Sequence, residues 1–329
     1  MLHRATLYSR KNNTIRCYLC WNICKIEEGR KGFCNTRINR AGELYTLTYG
    51  NISAMESRPI EIKPFYHFKP STTSMTFSTY SCNLQCPWCQ NWHLSRKPPP
   101  ENYPSMNPEY IVERALKCND SSVCASFNEP TLLFEFLLDL FPVAKEKGLL
   151  CTMVSNGYMT PKALKKLVDA GLDAINIDIK GDPAICGLKN EKIVWKNAKY
   201  ALKLGLHLEI INLIVTGVND SEESINEVIE NHLKYTGEEI PLHFTRYFPA
   251  FLFGKPPTKV KTLEKAVESA QKSGVEFSYI GNVPNHRYDN TYCPFCGELL
   301  IERRVYKVMK NRIRDGKCWR CGEKIYGVW

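Results

Sequence analysis

Between residues 75 and 280, segments with the composition of β-strands alternate with segments that have the apolar period of a helix. The predicted strands lie at 75–80, 122–127, 150–155, 174–179, 207–215, 242–247 and 277–280. The predicted helices lie at 108–117, 132–147, 161–170, 193–204, 221–233 and 262–273. Such a series predicts an α/β fold, because parallel strands are joined by right-handed helical crossovers. About six units favour a partial (β/α)6 TIM-like barrel over a closed eight-fold barrel.

The two ends of the chain differ from this central region. The first forty residues are polar, carry four cysteines and show little strand or helix period. The following segment has strand composition, and the turn signal Gly50-Asn51 predicts a hairpin between 44–49 and 52–55. We therefore divide the chain into a Cys-rich N-terminal segment, a β-rich connection, the partial barrel and a C-terminal module, at 1–40, 41–74, 75–285 and 286–329.

The chain has fifteen cysteines in 329 residues, and eleven of them fall into three groups. The N-terminus lacks the apolar core of a signal peptide, and no run approaches the ~18 apolar residues of a membrane span. We therefore expect a cytoplasmic protein that does not contact the membrane. In the cytoplasm, clustered cysteines bind metals more often than they form disulfides.

The central group, Cys82, Cys86 and Cys89, has the spacing CxxxCxxC and follows the first predicted strand. Three close thiolates can hold three irons of a [4Fe–4S] cluster and leave the fourth iron without a protein ligand. An open metal position is typical of a catalytic site. We therefore expect a catalytic iron–sulfur cluster in this loop.

The two outer groups have four cysteines each. The N-terminal group is Cys17, Cys20, Cys24 and Cys34, and the C-terminal group is Cys293, Cys296, Cys318 and Cys321. In the N-terminal group, the spacing fits zinc and an auxiliary iron–sulfur cluster equally well, in a structural or a functional role. The C-terminal group consists of two CxxC pairs, each followed by glycine, which predicts a zinc ribbon. A rubredoxin-like iron site is the alternative.

Polar residues follow or end the predicted strands. In parallel α/β sheets, the chemistry lies at the carboxyl ends of the strands. We therefore expect one face of the sheet to carry the polar groups of successive strand ends. These candidate site residues are Asn128, Glu129, Ser155, Asn156, Asp178, Lys180, Glu209, Asn212, His243, Arg246 and Tyr247.

The CxxxCxxC loop, with Trp88 directly before its last cysteine, resembles the radical S-adenosylmethionine (SAM) superfamily. The ordered motifs Asn128-Glu129-Pro130-Thr131 and Ser155-Asn156-Gly157-Tyr158 resemble one branch, the radical SAM component of the AmmeMemoRadiSam system. That branch is similar to pyruvate formate-lyase activating enzymes. The resemblance covers nearly the whole chain. One difference is Trp21-Asn22, where the family pattern has Pro-His.

The resemblance implies two cofactors, a [4Fe–4S] cluster and SAM. The SAM amino and carboxylate groups chelate the open iron. An electron from a donor such as flavodoxin or ferredoxin then cleaves SAM, and the resulting 5′-deoxyadenosyl radical abstracts hydrogen from the substrate. The cofactor carries the difficult step, while the protein orients and shields it.

The residue types at the first strand ends fit the groups of SAM. Glu129, with Asn128 beside it, is expected to accept from the ammonium group. Ser155 and Asn156 are expected to bind the ribose hydroxyls or the carboxylate, and Trp88 to pack on adenine. The structural alternatives are a helix start at the first motif, a turn at the second, and ordinary packing for the tryptophan.

The later strand ends carry the other predicted contacts. Lys180 is expected to meet the SAM carboxylate, with Asp178 positioning it. The ribose or substrate candidates are Glu209 and Asn212, and the substrate-side candidates are His243, Arg246 and Tyr247. The alternatives are a structural ion pair between Asp178 and Lys180 and a structural histidine at 243.

The charge distribution bears on the substrate. The chain has a net charge of +10. Residues 1–40 contain nine Lys or Arg and two Glu, and residues 291–329 contain nine Lys or Arg and four acidic residues. The remaining residues therefore have a net charge of −2. The family resemblance favours a protein or peptide substrate, whereas the basic ends favour RNA. A non-enzymatic metal-ribbon adaptor is the third hypothesis.

The Cys86→Ala substitution separates the two enzymatic hypotheses from the adaptor. We expect it to abolish cluster binding, and therefore reductive SAM cleavage, because one of the three iron ligands is lost. Anaerobic iron and sulfide analysis and 5′-deoxyadenosine formation measure both effects. An unchanged cellular function in Cys86→Ala cells would instead support the adaptor.

Overall fold

The computed structural model describes residues 2–329, which divide into two compact units. The N-terminal unit comprises the residues up to Arg58 together with Thr73–Ile175 and Ile185–Leu188. The C-terminal unit comprises Pro59–Thr72, Asn176–Ala184 and Lys189–Trp329. The finer division into four segments stays a prediction.

Residues 3–46 contain six short antiparallel strands, which the weak sequence period of this region did not predict. The strands are β1 (His3–Arg4), β2 (Tyr8–Lys11), β3 (Thr14–Cys17), β4 (Lys25–Ile26), β5 (Arg37–Arg40) and β6 (Glu43–Thr46). They form two three-stranded sheets, with the orders β2-β3-β4 and β1-β6-β5. Strands of two to four residues are too short to show an alternating pattern in the sequence.

The predicted hairpin around Gly50-Asn51 is wrong. Strand β6 pairs with β1 and β5, and β7 (Ala54–Pro59) lies in another sheet, next to β8 (Thr73–Ser78). Longer-range contacts hold the intervening chain. The Gly50 carbonyl accepts from the Met106 N–H at 2.8 Å, and the Ser53 N–H donates to the Ser78 carbonyl at 2.9 Å.

The rest of the N-terminal unit is built from parallel strands and helices. Strands β9 (Ser122–Ala125) and β10 (Leu150–Ser155) follow β8 in the sheet, and both pairings are parallel. The helices are α1 (Trp92–Ser95), α2 (Pro108–Lys117), α3 (Phe134–Glu146) and α4 (Pro161–Asp169). Helices α2 and α4 each begin with proline, and Asn107 and Thr160 cap them by accepting a backbone N–H.

The C-terminal unit continues the same alternation. The first two residues of β11 (Ala174–Ile179) belong to the N-terminal unit and the others to this unit. The first two residues of α5 (Pro183–Cys186) belong to this unit and the other two to the N-terminal unit. The remaining elements are α6 (Lys192–Lys203), β12 (His207–Ile214), α7 (Glu222–Tyr235), β13 (Leu242–Arg246), α8 (Val260–Lys272) and β14 (Ser278–Gly281). Strands β12, β13 and β14 pair in parallel. The predicted strands and helices of the central region are thus confirmed to within a few residues.

These elements confirm an α/β fold with a mostly parallel central sheet, and the partial barrel stays a prediction. After β14 come the short antiparallel strands β15 (Thr291–Tyr292), β16 (Leu299–Arg304), β17 (Lys307–Asn311), β18 (Ile313–Arg314) and β19 (Lys317–Cys318). Leu300 and Ile301 of β16 pack with Phe277 and Tyr279 in a buried cluster. Within residues 2–329, no helix has both the length and the apolar composition that a membrane crossing needs.

Candidate functional site

The CxxxCxxC loop follows β8, and hydrogen bonds to its backbone carbonyl oxygens hold it in place. The Arg96 guanidinium, which follows α1, donates to the carbonyl oxygens of Leu84 at 3.1 Å and Cys86 at 3.0 Å. The Leu84 N–H donates to the Cys82 sulfur at 3.4 Å, and the Ser95 hydroxyl lies 3.1 Å from the Cys89 sulfur. One planar side chain therefore fixes two turns of the loop that carries the three cysteines.

The surroundings of Cys82 favour a bound cation. Burial raises the pKa of the Cys82 thiol above its ordinary value, and the negative charge of Glu129 raises it further. Two acidic groups thus share one buried region, where ionising both is costly without a positive partner. Iron ions and an ammonium group are such partners, so the residues present fit an iron–sulfur cluster with bound SAM. Trp88 is buried within the same loop.

Glu129 is the central acceptor of a hydrogen-bond network between strand ends. Its Oε1 accepts from the Thr131 N–H at 3.0 Å, from the Thr131 hydroxyl and from the Ser155 hydroxyl at 2.9 Å. Among residues 2–329, its Oε2 accepts one hydrogen bond, from the Asn156 N–H at 2.9 Å. Burial raises the pKa of Glu129. Because its donors are concentrated on Oε1, Oε2 has the capacity for one more donor.

Asn156 connects this network to the CxxxCxxC loop of residues 82–89 (the cluster loop). Its side-chain amide donates to the Asn83 side-chain oxygen at 2.7 Å and lies 4.0 Å from the Cys82 sulfur. Its own amide oxygen accepts the Tyr158 N–H at 3.0 Å. The end of β10 and the cluster loop are therefore linked by side-chain amides, as expected for neighbouring parallel strands.

Asn128 braces the same loop from the end of β9. Its amide donates to the Ser81 carbonyl at 2.7 Å, and its oxygen accepts the Thr79 N–H at 3.3 Å. The structural alternatives considered for the two motifs are also present. Glu129 caps the short 3-10 helix Pro130–Leu133, and the Gly157 N–H donates to the Ser155 hydroxyl in a turn.

The C-terminal unit carries the later candidates, and their geometry is mainly structural. Lys180 donates to the Asp178 carboxylate, so the predicted ion pair is present. The Asn212 amide is fully buried and donates to the Ile179 carbonyl at 3.0 Å. The Arg246 guanidinium donates to the Thr258 carbonyl at 2.8 Å. These bonds orient the side chains without showing a ligand contact.

Glu209 differs from Glu129, because all of its acceptor capacity is in use. Its Oε1 accepts from the His67 N–H at 2.9 Å and His207 at 3.0 Å, and its Oε2 accepts from the Tyr66 N–H at 3.0 Å and His243 at 2.7 Å. Burial alone would raise its pKa, but the histidine hydrogen bonds outweigh burial and hold the pKa below its usual value. The geometry therefore favours structural roles for Glu209 and His243 over the predicted contacts with cofactor or substrate.

The Tyr247 hydroxyl is also committed within the protein. It donates to the Phe253 carbonyl at 2.6 Å, and the Tyr247 N–H donates to the Thr258 hydroxyl at 3.1 Å. The phenol thus holds the chain after β13 in place. Burial raises its pKa, so the hydroxyl stays protonated over the physiological range.

Several residues of these networks were not predicted from the sequence. Asn83 and Arg96 shape the cluster loop, and His207 completes the shell around Glu209. In the N-terminal unit, Arg37 forms a buried ion pair with Glu135 at 2.7 Å. Asn83 and Arg96 stand in or near the motif and were open to prediction, but nothing in the sequence marks the other contacts.

The C-terminal cysteines form a compact four-sulfur site. All four sulfur atoms lie within 4.8 Å of one another, with Cys293 and Cys321 3.6 Å apart and Cys296 and Cys318 3.7 Å apart. Metal–sulfur bonds of about 2.3 Å give a tetrahedron with edges of about 3.8 Å. The site therefore has the size that one four-coordinate metal ion requires.

The backbone of these knuckles also prepares the thiolates. Burial would raise the pKa of Cys318, but the N–H groups of Cys321 and Arg320 lower it to about 7. At Cys293, burial outweighs the corresponding N–H groups, and the pKa is raised. Gly297 and Gly322 adopt φ values of +73° and +79°, which L-residues rarely adopt. The glycine after each CxxC pair therefore allows the turn that aims N–H groups at sulfur.

Comparison with known proteins identifies a family for the chain. A family model described as the Radical SAM superfamily matches residues 76–230. An uncharacterised protein of Methanocaldococcus jannaschii is 40% identical over 333 residues, covering 98% of this chain and 99% of that protein. A crystal structure of a radical SAM methyltransferase from Sphaerobacter thermophilus has a TM-score of 0.51 and 13% identity, covering 67% of this chain and 68% of that one. At that identity, the structure supports the fold alone.

Two relatives have named activities. A probable GTP 3′,8-cyclase of Pyrococcus horikoshii is 25% identical, covering 77% of this chain and 80% of the cyclase. A pyruvate formate-lyase-activating enzyme of Streptococcus mutans is 27% identical, covering 44% of this chain and 60% of that enzyme. The residues that the family model matches, 76–230, include the CxxxCxxC loop and the strand ends around Glu129.

The Arg96→Lys substitution tests the bracing of the cluster loop. We expect several-fold faster loss of iron to a chelator, because lysine keeps the charge but cannot bond two carbonyl oxygens in a fixed plane. The decay of iron–sulfur absorbance under anaerobic conditions measures the rate. Arg114→Lys, at an exposed position of α2, is the matched control. Equal rates in both variants would show that Arg96 does not brace the loop.

Proposed function

The chain belongs to the radical SAM superfamily and is a radical SAM enzyme, and on that premise we propose its reaction. We propose that Cys82, Cys86 and Cys89 bind a [4Fe–4S] cluster at which SAM is reductively cleaved, for hydrogen abstraction from a protein or peptide. When bound, the cluster and SAM supply the organic radical that removes the hydrogen atom. A ferredoxin or flavodoxin is the proposed electron donor, and the cytoplasm is the proposed location.

The remaining acceptor capacity of Glu129 is the observation that carries the proposal. Three donors orient Oε1, whereas Oε2 receives one hydrogen bond. A buried carboxylate with one lone pair unused is suited to accept from an ammonium group. Asn156 links Glu129 to the loop beside Cys82, so the acceptor and the cluster ligands are held in one network.

The neighbouring side chains position this acceptor. The Ser155 hydroxyl fixes Glu129, and Asn128 fixes the backbone directly before Cys82. We propose that Ser155 and Asn128 position this acceptor. Ser155 and Asn156 are also proposed to lie near the SAM ribose or carboxylate. Trp88 is buried in the loop, where its ring face suits the adenine.

The other candidates remain proposals with narrower roles. Lys180 is proposed to meet the SAM carboxylate, with Asp178 holding it through their ion pair. Arg246 lies with its guanidinium 5.0 Å from the Phe248 ring and is proposed to face the substrate. Asn212 is proposed to position the end of β11 through the Ile179 carbonyl.

The C-terminal quartet is proposed to bind zinc. Its sulfur separations match a single tetrahedral ion, and its two knuckles carry the glycines of a zinc ribbon. Iron in a rubredoxin-like arrangement would fit the same geometry. Metal counting on the isolated protein distinguishes the two ions, because a zinc site adds about one zinc per chain, whereas a rubredoxin-like site adds one iron and no zinc.

The substrate class follows from weighing two kinds of evidence. The pyruvate formate-lyase-activating enzyme among the relatives supports a protein substrate, whereas the cyclase has a name that indicates a nucleotide. The basic N-terminal and C-terminal segments support RNA as a second candidate. We favour protein or peptide, because the branch that the motifs at Glu129 and Ser155 resemble is itself similar to activating enzymes.

Glu129→Gln is the variant that tests the proposed site. We expect SAM affinity to fall at least about tenfold, because a charge-assisted hydrogen bond of about 1.5–3 kcal/mol is lost. Equilibrium binding of SAM to the reconstituted enzyme and the rate of 5′-deoxyadenosine formation measure the effect. Glu146→Gln, near the end of α3 on an exposed surface, is the control. Unchanged SAM affinity together with unchanged cluster content would overturn the role of Glu129.

The substrate class is tested by following hydrogen abstraction. The reduced enzyme is incubated with SAM and an extract of deuterium-labelled cells of the source organism, and deuterium in 5′-deoxyadenosine is measured. We expect protease treatment of the extract to abolish deuterium transfer and ribonuclease treatment to leave it. The opposite pattern would establish RNA, and resistance to both treatments would indicate a small molecule.

A further inference from the structure

The four N-terminal cysteines line a single cavity in the N-terminal unit. Its wall is formed by Cys17, Cys20, Cys24 and Cys34 together with Arg37. Cys17 ends β3 and Cys34 precedes β5, so two short sheets bring the sulfur atoms together. Residues that are 17 positions apart thus line one cavity, which the sequence spacing alone does not establish.

The C-terminal quartet differs from the cysteines around this cavity, because it has the spacing of a single-ion site. Across residues 2–329, Cys293, Cys296, Cys318 and Cys321 form the only group of three or more Cys, His, Asp or Glu ligand atoms that all lie within 4.8 Å of one another. At the N-terminal quartet, the choice between a zinc ion and a cluster therefore rests on the groups that surround the thiolates. Thiolates that bind different irons of a cluster stand farther apart, because the cluster lies between them.

Arg37 supplies a second, independent observation. Its side chain is 2% exposed, and its Nη1 lies 2.7 Å from the Glu135 carboxylate. Its Nε and Nη2 have no hydrogen-bond partner in the structure. Leaving a buried donor without an acceptor costs about 1–3 kcal/mol, and more for a charged group. Within residues 2–329, the guanidinium therefore has two buried donors without an acceptor, and its side chain lines the cavity of the four cysteines.

Backbone donors at the same cavity also point at sulfur. The Phe33 N–H donates to the Cys24 sulfur at 3.4 Å, and the Thr36 hydroxyl lies 3.1 Å from the Cys34 sulfur. At Gly32, an added Cβ would lie 3.1 Å from Ile26 and 3.6 Å from the Cys24 sulfur. The chain thus passes close to the cavity, and N–H and O–H groups surround the thiolates as in iron–sulfur proteins.

The cavity wall is hydrogen-bonded to the CxxxCxxC loop in the same unit. The Ser81 hydroxyl donates to the Cys34 carbonyl at 2.6 Å, and the Asn22 amide donates to the Asn83 carbonyl at 2.9 Å. Ser81 and Asn83 are the residues on either side of Cys82. The N-terminal cysteines are therefore part of the structure around the first cluster loop.

From these observations we propose that Cys17, Cys20, Cys24 and Cys34 bind a second [4Fe–4S] cluster. Arg37 is its buried counter-ion and donates from Nε and Nη2 to the sulfur atoms on one side. An oxidised [4Fe–4S] cluster together with its four thiolate ligands has a net charge of about −2, which the guanidinium partly offsets. Glu135 holds the other edge of the guanidinium and so fixes its orientation. This assignment rests on the N-terminal geometry and stands apart from the proposed reaction.

Metal counting on matched variants tests the assignment. The full chain is reconstituted anaerobically with iron, sulfide and zinc together, as wild type, as Cys82→Ser/Cys86→Ser/Cys89→Ser and as Cys17→Ser/Cys20→Ser. We expect about eight irons and eight sulfides per wild-type chain, about four of each in either variant, and the same zinc content in all three. Mössbauer spectra of the triple variant are expected to show a cubane cluster.

The opposite result is equally defined. A triple variant without iron, whose zinc content exceeds that of Cys17→Ser/Cys20→Ser by about one ion per chain, would establish a zinc site and overturn the proposal. Failure of the proposed reaction would look different. A wild-type enzyme with about eight irons that does not cleave SAM would contradict the reaction and leave the second cluster intact.

The role of Arg37 is tested in the triple-variant background, where only the N-terminal cluster contributes. We expect Arg37→Lys to shift the reduction potential to more negative values, because hydrogen bonds to the cluster sulfurs are lost. Arg16→Lys, an exposed position next to Cys17, is the control and is expected to leave the potential unchanged. The pair Arg37→Met/Glu135→Leu removes both buried charges and keeps the fold testable if the single variant is unstable. An unchanged potential in both Arg37 variants would remove Arg37 from the site.

Discussion

The buried carboxylate of Glu129 is the constraint on which the candidate site depends. Ionising a carboxylate without water is costly unless hydrogen bonds compensate, and burial accordingly raises its pKa. Thr131, Ser155 and Asn156 supply the donors, so the end of β9 and the end of β10 are fixed by one side chain. Asn156 extends the same constraint to the loop of Cys82. The position of the CxxxCxxC loop is therefore tied to a hydrogen-bond network that also leaves room for one further donor.

A second buried glutamate shows how the same residue type serves a different purpose. Glu209 has two backbone N–H groups and two histidines as donors, and its acceptor capacity is complete. Its pKa is held low, whereas that of Glu129 is raised. A carboxylate that is satisfied within the protein stabilises the fold, and one with an unused acceptor is available to a ligand. Each glutamate has four donors, and their distribution differs: Glu209 accepts two hydrogen bonds on each oxygen, whereas Glu129 accepts three on Oε1 and one on Oε2.

The three cysteine groups differ in the groups that surround their sulfur atoms. The C-terminal group is compact and has backbone N–H groups aimed at sulfur, so it suits a single ion. The N-terminal group surrounds a cavity with a buried guanidinium, so it suits a larger anionic centre. The central group offers three thiolates on a loop braced by Arg96 and therefore leaves a position for a cofactor.

The sequence alone determined the α/β alternation, because the strands and helices of the central region are long and bounded by clear signals such as Pro108 and Pro161 at helix starts. It also located all three cysteine groups, since ligand spacing is local. The strands before residue 47 were missed, because they are two to four residues long, and the hairpin at Gly50 failed because its backbone bonds to distant Met106. Only the tertiary structure decided that Glu129 keeps an open acceptor while Glu209 does not, and that Arg37 faces the N-terminal cysteines. Burial and hydrogen-bond partners arise between residues that are far apart in the chain, and no local pattern encodes them.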